Sequence, residues 1–508
     1  MQWLHTIVDE LIARVPEGEI LIESGASPSG TYHVGHLREV ITSDAILLEL
    51  RRRGRQARHI HFVDDLDALR KVPVNVPQDY DQHLGKPLCD TPAPDGSDQS
   101  YADHFLSDLI AATSYLGIEM EVIRSHEKYR SGFDVPAIEM ALTHIQKVKD
   151  CIVKGSGRQL SDDWNPIQIL EEGRFKNRAL VDIDKEKKEV IYRRVEGGEA
   201  RARYDNGDVK LDWRIDWPTH WWLQGVNVEA FGRDHATKGG SYDTGVEIIK
   251  DVFGAEPPYP VPYDFVNRTG DPKKMSASRG TGISAKDIIK VLPAEIIRFF
   301  MLRYPPSKRL YFDEVEGTVK LVDEFAELAA KSDKTKQDED LLYMSTRGSS
   351  HQTISPVPFS HLVASYQSAL RDTDKTIEII RRTEHAEHID EAVITRELVF
   401  IDEWLHLWAP EDVKFQIAET LPEVELSEQQ KTFLRTLADK IEQAPEDADG
   451  EWFHKAIYDL KDSVGLEPKQ LFQTLYQVLI NKMSGPRAGW FLSLLPREWL
   501  VKRLRLES

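Results

Sequence analysis

The stretch Ala26-Ser27-Pro28-Ser29-Gly30-Thr31-Tyr32-His33-Val34-Gly35-His36 follows the apolar run Ile20-Leu21-Ile22 and precedes Leu37, Val40, Ile41 and Leu48 at helical spacing. A strand, a loop of small residues and a helix start, in that order, form an anion site, because unpaired N–H groups and the helix dipole face whatever phosphate arrives. Ser29, Gly30, His33, Gly35 and His36 are the candidate contacts, with the two histidines adding side-chain donors at the mouth of the helix. A second loop, Lys273-Lys274-Met275-Ser276-Ala277-Ser278-Arg279-Gly280, lies far downstream. Together the two loops read as an ATP site built from two ends of one domain, with Lys273, Lys274, Met275, Ser276, Ser278 and Arg279 as the second set of contacts.

Residues 1–150 alternate strand and helix patterns. Strands are expected at Glu19–Ser24, Arg58–Val63 and Glu121–Ile123, and helices at His36–Arg53, Ser100–Leu116 and Val135–Val148. That alternation predicts an α/β fold with a Rossmann-like, doubly wound parallel sheet, the ATP loop at the carboxyl end of the first strand. Residues 151–210 read as a β-rich insertion with strands near Leu180–Ile183, Glu189–Tyr192 and Val209–Leu211 and a hairpin turn at Asn206-Gly207. The sheet resumes over 211–317, with strands near Asn227–Phe231 and Asp264–Val266, a helix over Gly239–Phe253 and Ser284 as a helix cap. Residues 318–508 read as an all-α domain, with Lys331–Val357 as a polar connection.

At 508 residues the chain is too long for one core. No apolar run approaches the ~18–20 residues of a membrane span, the first residues carry no secretory signal, and two cysteines, Cys89 and Cys151, indicate no disulfide framework. These features point to a cytoplasmic enzyme; a monomer is the expectation for its assembly, which these features do not themselves fix. A net charge of −20 disfavours a general nucleic-acid binder. Two local basic clusters stay candidates for nucleic-acid contact: Arg51, Arg52, Arg53, Arg55 and Arg58, and Arg487, Arg497, Lys502, Arg503 and Arg505.

The two loops resemble, in order and spacing, the HIGH and KMSKS motifs of class I aminoacyl-tRNA synthetases. His33-Val34-Gly35-His36 matches the first, and Lys274-Met275-Ser276-Ala277-Ser278 the second, with Ala277 where the pattern usually has lysine. Further blocks, Glu23–Gly30, Asp64–Pro73, Ile215–Pro218, Phe231–His235, Gly240–Gly245 and Gly485–Gly489, are similar to the class I lysyl-tRNA synthetase family across nearly the whole chain.

The resemblance implies ATP-dependent activation of L-lysine, with Mg2+ accompanying the nucleotide, then transfer to the 2′-hydroxyl of tRNA(Lys). It implies catalytic roles for His33, His36 and Lys274, with Lys273 or Arg279 helping to hold pyrophosphate. Gly35 would admit the adenine and ribose, and Gly280 and Gly282 would let the second loop close. For the lysine pocket it implies Gly25, Ser27, Asp64, Trp221, Asp234, His235, Tyr242 and Tyr263, with Trp213, Trp217 and Trp222 in the core. Residues 318–508 would bind the anticodon. Family members often carry a cysteine pair near Ile169–Gly173. Here that stretch is Ile169-Leu170-Glu171-Glu172-Gly173, so no metal site is expected and the insertion folds without zinc. Two alternatives stand beside this reading: another class I synthetase of glutamate type, which the acidic pocket and the Trp217-Pro218 region disfavour, and a non-catalytic tRNA-binding paralogue, to which the absent cysteines and Ala277 give weight while intact His33, His36 and Lys274 argue against it.

Overall fold

The computed structural model describes residues 1–271, 282–349, 354–411, 413–446, 448–485 and 487–507. Five parallel strands form the central sheet: β1 (Ile20–Ala26), β2 (Ala57–Val63), β3 (Glu121–Arg124), β10 (Val228–Gly232) and β11 (Tyr259–Tyr263), in the order β11-β10-β1-β2-β3. The chain winds outward from β1 on one side, then returns to place β10 on the other. That reversal puts the topological switch point between β1 and β10, where open α/β sheets take their ligands. Both strands are buried along nearly their whole length, so they read as apolar runs rather than alternating ones.

Between the halves of the sheet lies the insertion. β4 (Ile167–Glu171) pairs antiparallel with β5 (Arg174–Lys176) and β9 (Val209–Leu211), while β6 (Leu180–Asp184), β7 (Glu189–Arg193) and β8 (Glu199–Arg203) form a second antiparallel sheet. β4, β5 and β8 escape the sequence reading. The Asn206-Gly207 turn exists, with Gly207 at φ 90°, but it links β8 to β9 in different sheets and closes no hairpin. In the stretch Ile169–Gly173, Glu171 at the end of β4 accepts from the Arg178 guanidinium and faces Lys176 at 3.6 Å. The helix expected over Val135–Val148 breaks at His144 into Val135–Thr143 and Ile145–Ser156. β12 (Val266–Arg268) and β13 (Leu310–Phe312) form a separate parallel pair.

The chain divides into two compact units. The first comprises Met1–Ile289, Ile297–Phe312 and Lys334–Ser349; the second comprises Lys290–Ile296, Asp313–Asp333 and Ser350–Ser508. Lys331–Val357 is therefore more than a connection. Thr335 and Asp338 form a capping box that starts the helix Lys336–Thr346, and the first unit claims it. Its buried Asp340 accepts from Arg52 at 3.0 Å, the Arg347 guanidinium donates to Asp44 at 2.6 Å, and Met344 C=O accepts from Arg298 at 2.9 Å. Residues 350–353 lie outside the described ones.

The second unit is helical. Phe433, Leu437 and Ile441 from Glu428–Glu442, Phe453 and Ile457 from Gly450–Tyr458, and Leu471, Leu475 and Leu479 from Pro468–Ile480 share one apolar core with Leu492, Leu500 and Leu504. In the Gly485–Gly489 block, Gly485 and Gly489 stand in close-packed surroundings, and Pro486 lies outside the described residues. A Cβ on Gly489 would lie 2.3 Å from the Gly450 carbonyl oxygen, so glycine at that position lets two helices cross backbone to backbone.

Neither basic cluster is a stripe of uncommitted cations. Arg51 pairs with Glu119, Arg52 with Glu49 and Asp340, Arg53 with Glu49 and Asp9, and Arg58 with Glu19 and Glu121. Near the C-terminus Arg503 is fully buried and donates to the carbonyls of Ala418, Glu419, Thr420 and Val478, while Arg505 pairs with Asp439 and Glu442 and Lys502 with Glu498.

Candidate active site

A cavity of about 560 Å³ opens at the carboxyl ends of β1, β2 and β10. Its upper rim is the start of the helix Val34–Arg52. His33 is the N-cap of that helix: its Nδ1 accepts the Gly35 N–H at 3.1 Å, and the His36 Nδ1 accepts the His33 N–H at 3.0 Å. Each imidazole thus caps the helix through Nδ1, so in the neutral ring the proton sits on Nε2 and both Nε2–H groups are donors. The rings lie 4.1 Å apart. Gly35 has a second reason to lack a side chain: a Cβ there would fall 2.8 Å from the His33 ring.

The downstream segment arrives at this helix start. Val34 N–H donates to the Ile283 carbonyl at 2.9 Å, Ala285 N–H donates to the Tyr32 carbonyl at 3.0 Å, and His33 bridges Ser284. A Cβ on Gly282 would lie 2.7 Å from the His33 Cβ, so the two chain segments touch. Ser284 caps the helix Ala285–Val291 through the N–H groups of Lys286 and Asp287. Lys273, Lys274, Met275, Ser276, Ser278, Arg279 and Gly280 lie outside the described residues; Gly282 to Ala285 lead directly out of that loop.

The walls and floor are acidic. Glu39, one turn into the helix, accepts the Gly25 N–H at 2.8 Å and the Tyr263 hydroxyl at 2.5 Å, and burial pushes its carboxyl up to about 7. Asp64 follows β2 at the cavity wall, where burial and then Asp67 push it up to about 7. Its neighbour Asp65 is wholly structural. It accepts from Arg124 at 2.5 Å, from His126 at 2.6 Å and from the Ser125 hydroxyl at 3.0 Å; burial would raise its carboxyl, but these partners hold it below the usual range. Glu23 on β1 and Glu229 on β10 form the floor, and burial raises both.

Beneath the floor, this chain supplies its own cations. Lys210 of β9, 2% exposed, is hydrogen-bonded to Asp67 and stands 3.5 Å from Asp216. His220 lies 3.5 Å from Asp216 and 3.6 Å from Glu23, stacked on Phe62 at 3.5 Å. Burial alone would discharge both groups, but the adjoining carboxylates outweigh it and keep both protonated. Asp64, Asp216 and His220 are the one set among the described residues whose ligand atoms gather within 4.8 Å as a metal would require. With Lys210 3.5 Å from Asp216 and Glu23 3.6 Å from His220, the set is also part of an internal ion network.

Gly25, Ser27, Ser29, His33, Gly35, His36, Asp64, Asp234, His235 and Tyr263 line the cavity. Gly30 is buried behind the loop. Trp221 and Tyr242 lie one layer back. The Trp221 indole, 2% exposed, donates to Glu229, and Tyr242 stacks on Phe231 and donates to the Pro258 carbonyl. Trp217 is in the core as expected, packed with Trp221 and Phe231, and it also lines the cavity; Trp213, likewise expected in the core, is half-buried and lines the cavity too. Trp213, Trp217 and Trp221 recur every fourth residue along Trp213–Gln224 and share a face; which of them meets the cavity depends on how that helix sits on β10. The sequence reading also missed Glu23, Glu39, Glu229, Lys210 and His220. The available signal was a carboxylate inside an apolar strand run, Ile20-Leu21-Ile22-Glu23 and Val228-Glu229-Ala230-Phe231.

A family model described as tRNA synthetases class I (K) matches residues 1–349, and one described as an anticodon binding domain matches residues 403–506. The chain is 35% identical to lysine–tRNA ligase 1 of Methanosarcina acetivorans, covering 100% of this chain and 98% of that protein. It is 34% identical to the lysine–tRNA ligase of Archaeoglobus fulgidus, covering 99% of each. Among solved structures, a glutamate tRNA ligase from Elizabethkingia meningosepticum is 11% identical and overlays with a TM-score of 0.46 over 96% of this chain and 98% of that one. No helix among the described residues is long and apolar enough to cross a membrane.

Proposed function

The chain belongs to the class I tRNA synthetases of the lysine type, and from that premise we propose that it is a lysine–tRNA ligase. The lysine carboxylate attacks the α-phosphorus of ATP, the bond to the β-phosphate oxygen breaks, and pyrophosphate leaves. The 2′-hydroxyl of the terminal tRNA adenosine then attacks the aminoacyl carbonyl, and AMP leaves. No protein nucleophile is needed, so catalysis is alignment and charge stabilisation.

The observation that carries this reading is the pairing of Tyr32–Val34 with Ile283–Ala285 beside an acid-walled cavity. It supports one triphosphate being gripped from two sides, with His33 and His36 donating Nε2–H to phosphate oxygens and Lys274, helped by Lys273 or Arg279, holding the pyrophosphate. Magnesium enters with the nucleotide as part of that substrate. Gly25, Ser27, Asp64, Asp234, His235 and Tyr263 surround the amino acid, and the excess of carboxylates suits a dibasic one. Trp221 and Tyr242 shape that pocket from behind. Residues 318–508 serve the anticodon end of tRNA(Lys), and the enzyme works as a monomer in the cytoplasm.

ATP–pyrophosphate exchange with each standard amino acid, with and without tRNA, tests the assignment. Exchange is expected with lysine alone, followed by charging of tRNA(Lys). His36→Ala should lower exchange by about 10²–10³-fold, as loss of a preorganised donor does, while the loss of its cap to the His33 N–H should cost only about 0.5–2 kcal/mol and leave the protein folded. Wild-type exchange driven by glutamate, or by no amino acid, ends this reading.

A further inference from the structure

Arg38, on the helix Val34–Arg52, is fully buried, and its guanidinium is only partly used. Its Nη2 donates to the carbonyls of Pro305, Pro306 and Lys308 at 3.2, 2.9 and 2.6 Å. Nε and Nη1 are buried with no hydrogen-bond partner. Idle donors on a buried cation are costly, so the pattern points to an acceptor that reaches them in another conformation. Asp264 stands beside them: its N–H donates to the Pro306 carbonyl at 2.9 Å, the same oxygen that Arg38 Nη2 meets. Burial pushes the Arg38 guanidinium down to about 10, and Asp264 is the charge that opposes this most. Yet the Asp264 carboxylate, itself buried, is engaged elsewhere. Oδ2 accepts from Arg233 Nη1 at 2.7 Å, and Oδ1 accepts from Arg309 Nε at 3.1 Å and from the Phe265 N–H at 2.8 Å. Burial would raise this carboxyl, but those three donors hold it below the usual range. One buried carboxylate thus lies between an interior cation with idle donors and a cation whose side chain is 62% exposed, Arg233.

The pair sits at the nucleotide cavity. Gly232 and Asp234, on either side of Arg233, line it, and so do Tyr263 and Phe265, on either side of Asp264. We propose that Arg233 is a movable cation for the triphosphate of ATP: it leaves Asp264 for the phosphate oxygens, and Asp264 turns to Arg38, which keeps the buried carboxylate paired. The proposal rests on the ATP half of the reading above and adds to it a phosphate contact and the device that releases it. A triphosphate entering a cavity walled by carboxyls needs cations beside it, and a guanidinium meets phosphate oxygens two at a time. Parting a buried carboxylate from its cation is costly when the carboxylate is left alone. Handing Asp264 to Arg38 removes that cost and gives the idle donors of Arg38 their use. Arg233 is suited to move, because its side chain reaches into solvent and Asp264 is its one ion-pair partner among the described residues. Arg233 is therefore a substrate contact, and Asp264 and Arg38 are positioning residues.

ATP–pyrophosphate exchange at saturating amino acid separates this device from a structural ion pair. Arg233→Gln should lower kcat/KM for ATP by about 10- to 100-fold, with the KM for lysine within about 3-fold of wild type. Asp264→Asn breaks the same pair but frees Arg233, so kcat/KM for ATP should stay within about 3-fold of wild type or rise. A merely structural pair would make the two variants behave alike. Arg38→Gln should lower kcat/KM for ATP as Arg233→Gln does, because Asp264 then holds Arg233 back. Adding Asp264→Asn to Arg38→Gln should restore it to within about 3-fold of Asp264→Asn alone, a rescue that lost packing around Arg38 would not give. The proposal is overturned by a kcat/KM for ATP within about 3-fold of wild type in Arg233→Gln, by an equal loss in Asp264→Asn, or by no rescue in a folded double variant. Failure of Arg233→Gln to fold also overturns it, since a movable surface cation is not needed for folding. If the Asp264 or Arg38 variants do not fold, thermal shift with pyrophosphate as the probe decides: a rise in wild type that Arg233→Gln loses supports the proposal, and an equal rise in both overturns it. Wild-type exchange driven by another amino acid refutes the lysine reading and leaves this test in place, whereas lysine-driven exchange indifferent to Arg233→Gln refutes only the movable cation.

Discussion

The floor of the cavity and the core of the helical unit bury side chains by opposite rules. Around β1 and β10 the interior holds Glu23, Asp67, Asp216, Glu229, Lys210 and His220. Between Phe433 and Leu504 it is mostly leucine, isoleucine and phenylalanine with some alanine and valine, and among the described residues its buried polar groups include Thr474 and Arg503, the latter satisfied by four backbone carbonyls. The helical core follows the general rule that apolar burial drives folding. The sheet end departs from it, and such departures concentrate where a ligand completes the charge balance. The difference teaches where stability is generated and where it is given up.

Four measurements would break or sharpen that contrast. Lys210→Met should be the most damaging, because it strands Asp67 and Asp216 without their cation; a loss of about 3–5 kcal/mol is expected from denaturant unfolding. A loss below about 1 kcal/mol would mean that the ion network is dispensable. Leu475→Ala, fully buried in the helical core, should cost about 2–5 kcal/mol through transfer and cavity terms. Unlike Lys210→Met, its effect should hardly vary between about pH 5 and 8.

Glu39 gives the pH signature. Its carboxyl titrates near 4.5 when unfolded and is pushed up to about 7 when folded, so between those values the folded state holds a proton that the unfolded state has released. Its contribution is complete below 4.5 and falls by about 3 kcal/mol as pH rises toward 7. Glu39→Gln should flatten that part of the stability–pH curve, and an unchanged slope would show that Glu39 is ionised in the fold. Arg505→Ala should do least. It removes a half-buried partner of the exposed Asp439 and Glu442, and no shift of the unfolding midpoint beyond error is expected.

Much of the fold was legible because it is written locally. The strand–loop–helix order around β1, the parallel alternation and the capping role of Ser284 are short-range patterns, and all three appear in the structure. The helix Lys336–Thr346 was missed because its sequence is polar and poorly periodic; Thr335 and Asp338 started it, and Asp340 and Arg347 anchored it through ion pairs that a periodicity argument does not see. The broken helix at His144 and the strands β4, β5 and β8 were missed for the related reason that short elements leave few repeats to count.

By itself the sequence determined that the fold is α/β with a β-rich stretch and a helical end, and it singled out two small-residue loops as candidates for one nucleotide. Periodicity and residue type carry that information over about a dozen residues or fewer. Only the tertiary structure decided which acids meet, that Asp65 is structural while Asp64 faces the cavity, that Trp217 rather than Trp221 forms the wall, and that Lys210 reaches in from the insertion. Those outcomes depend on sheet register and on which helix face packs inward, and both are set by burial across distant segments rather than by any stretch of neighbouring residues.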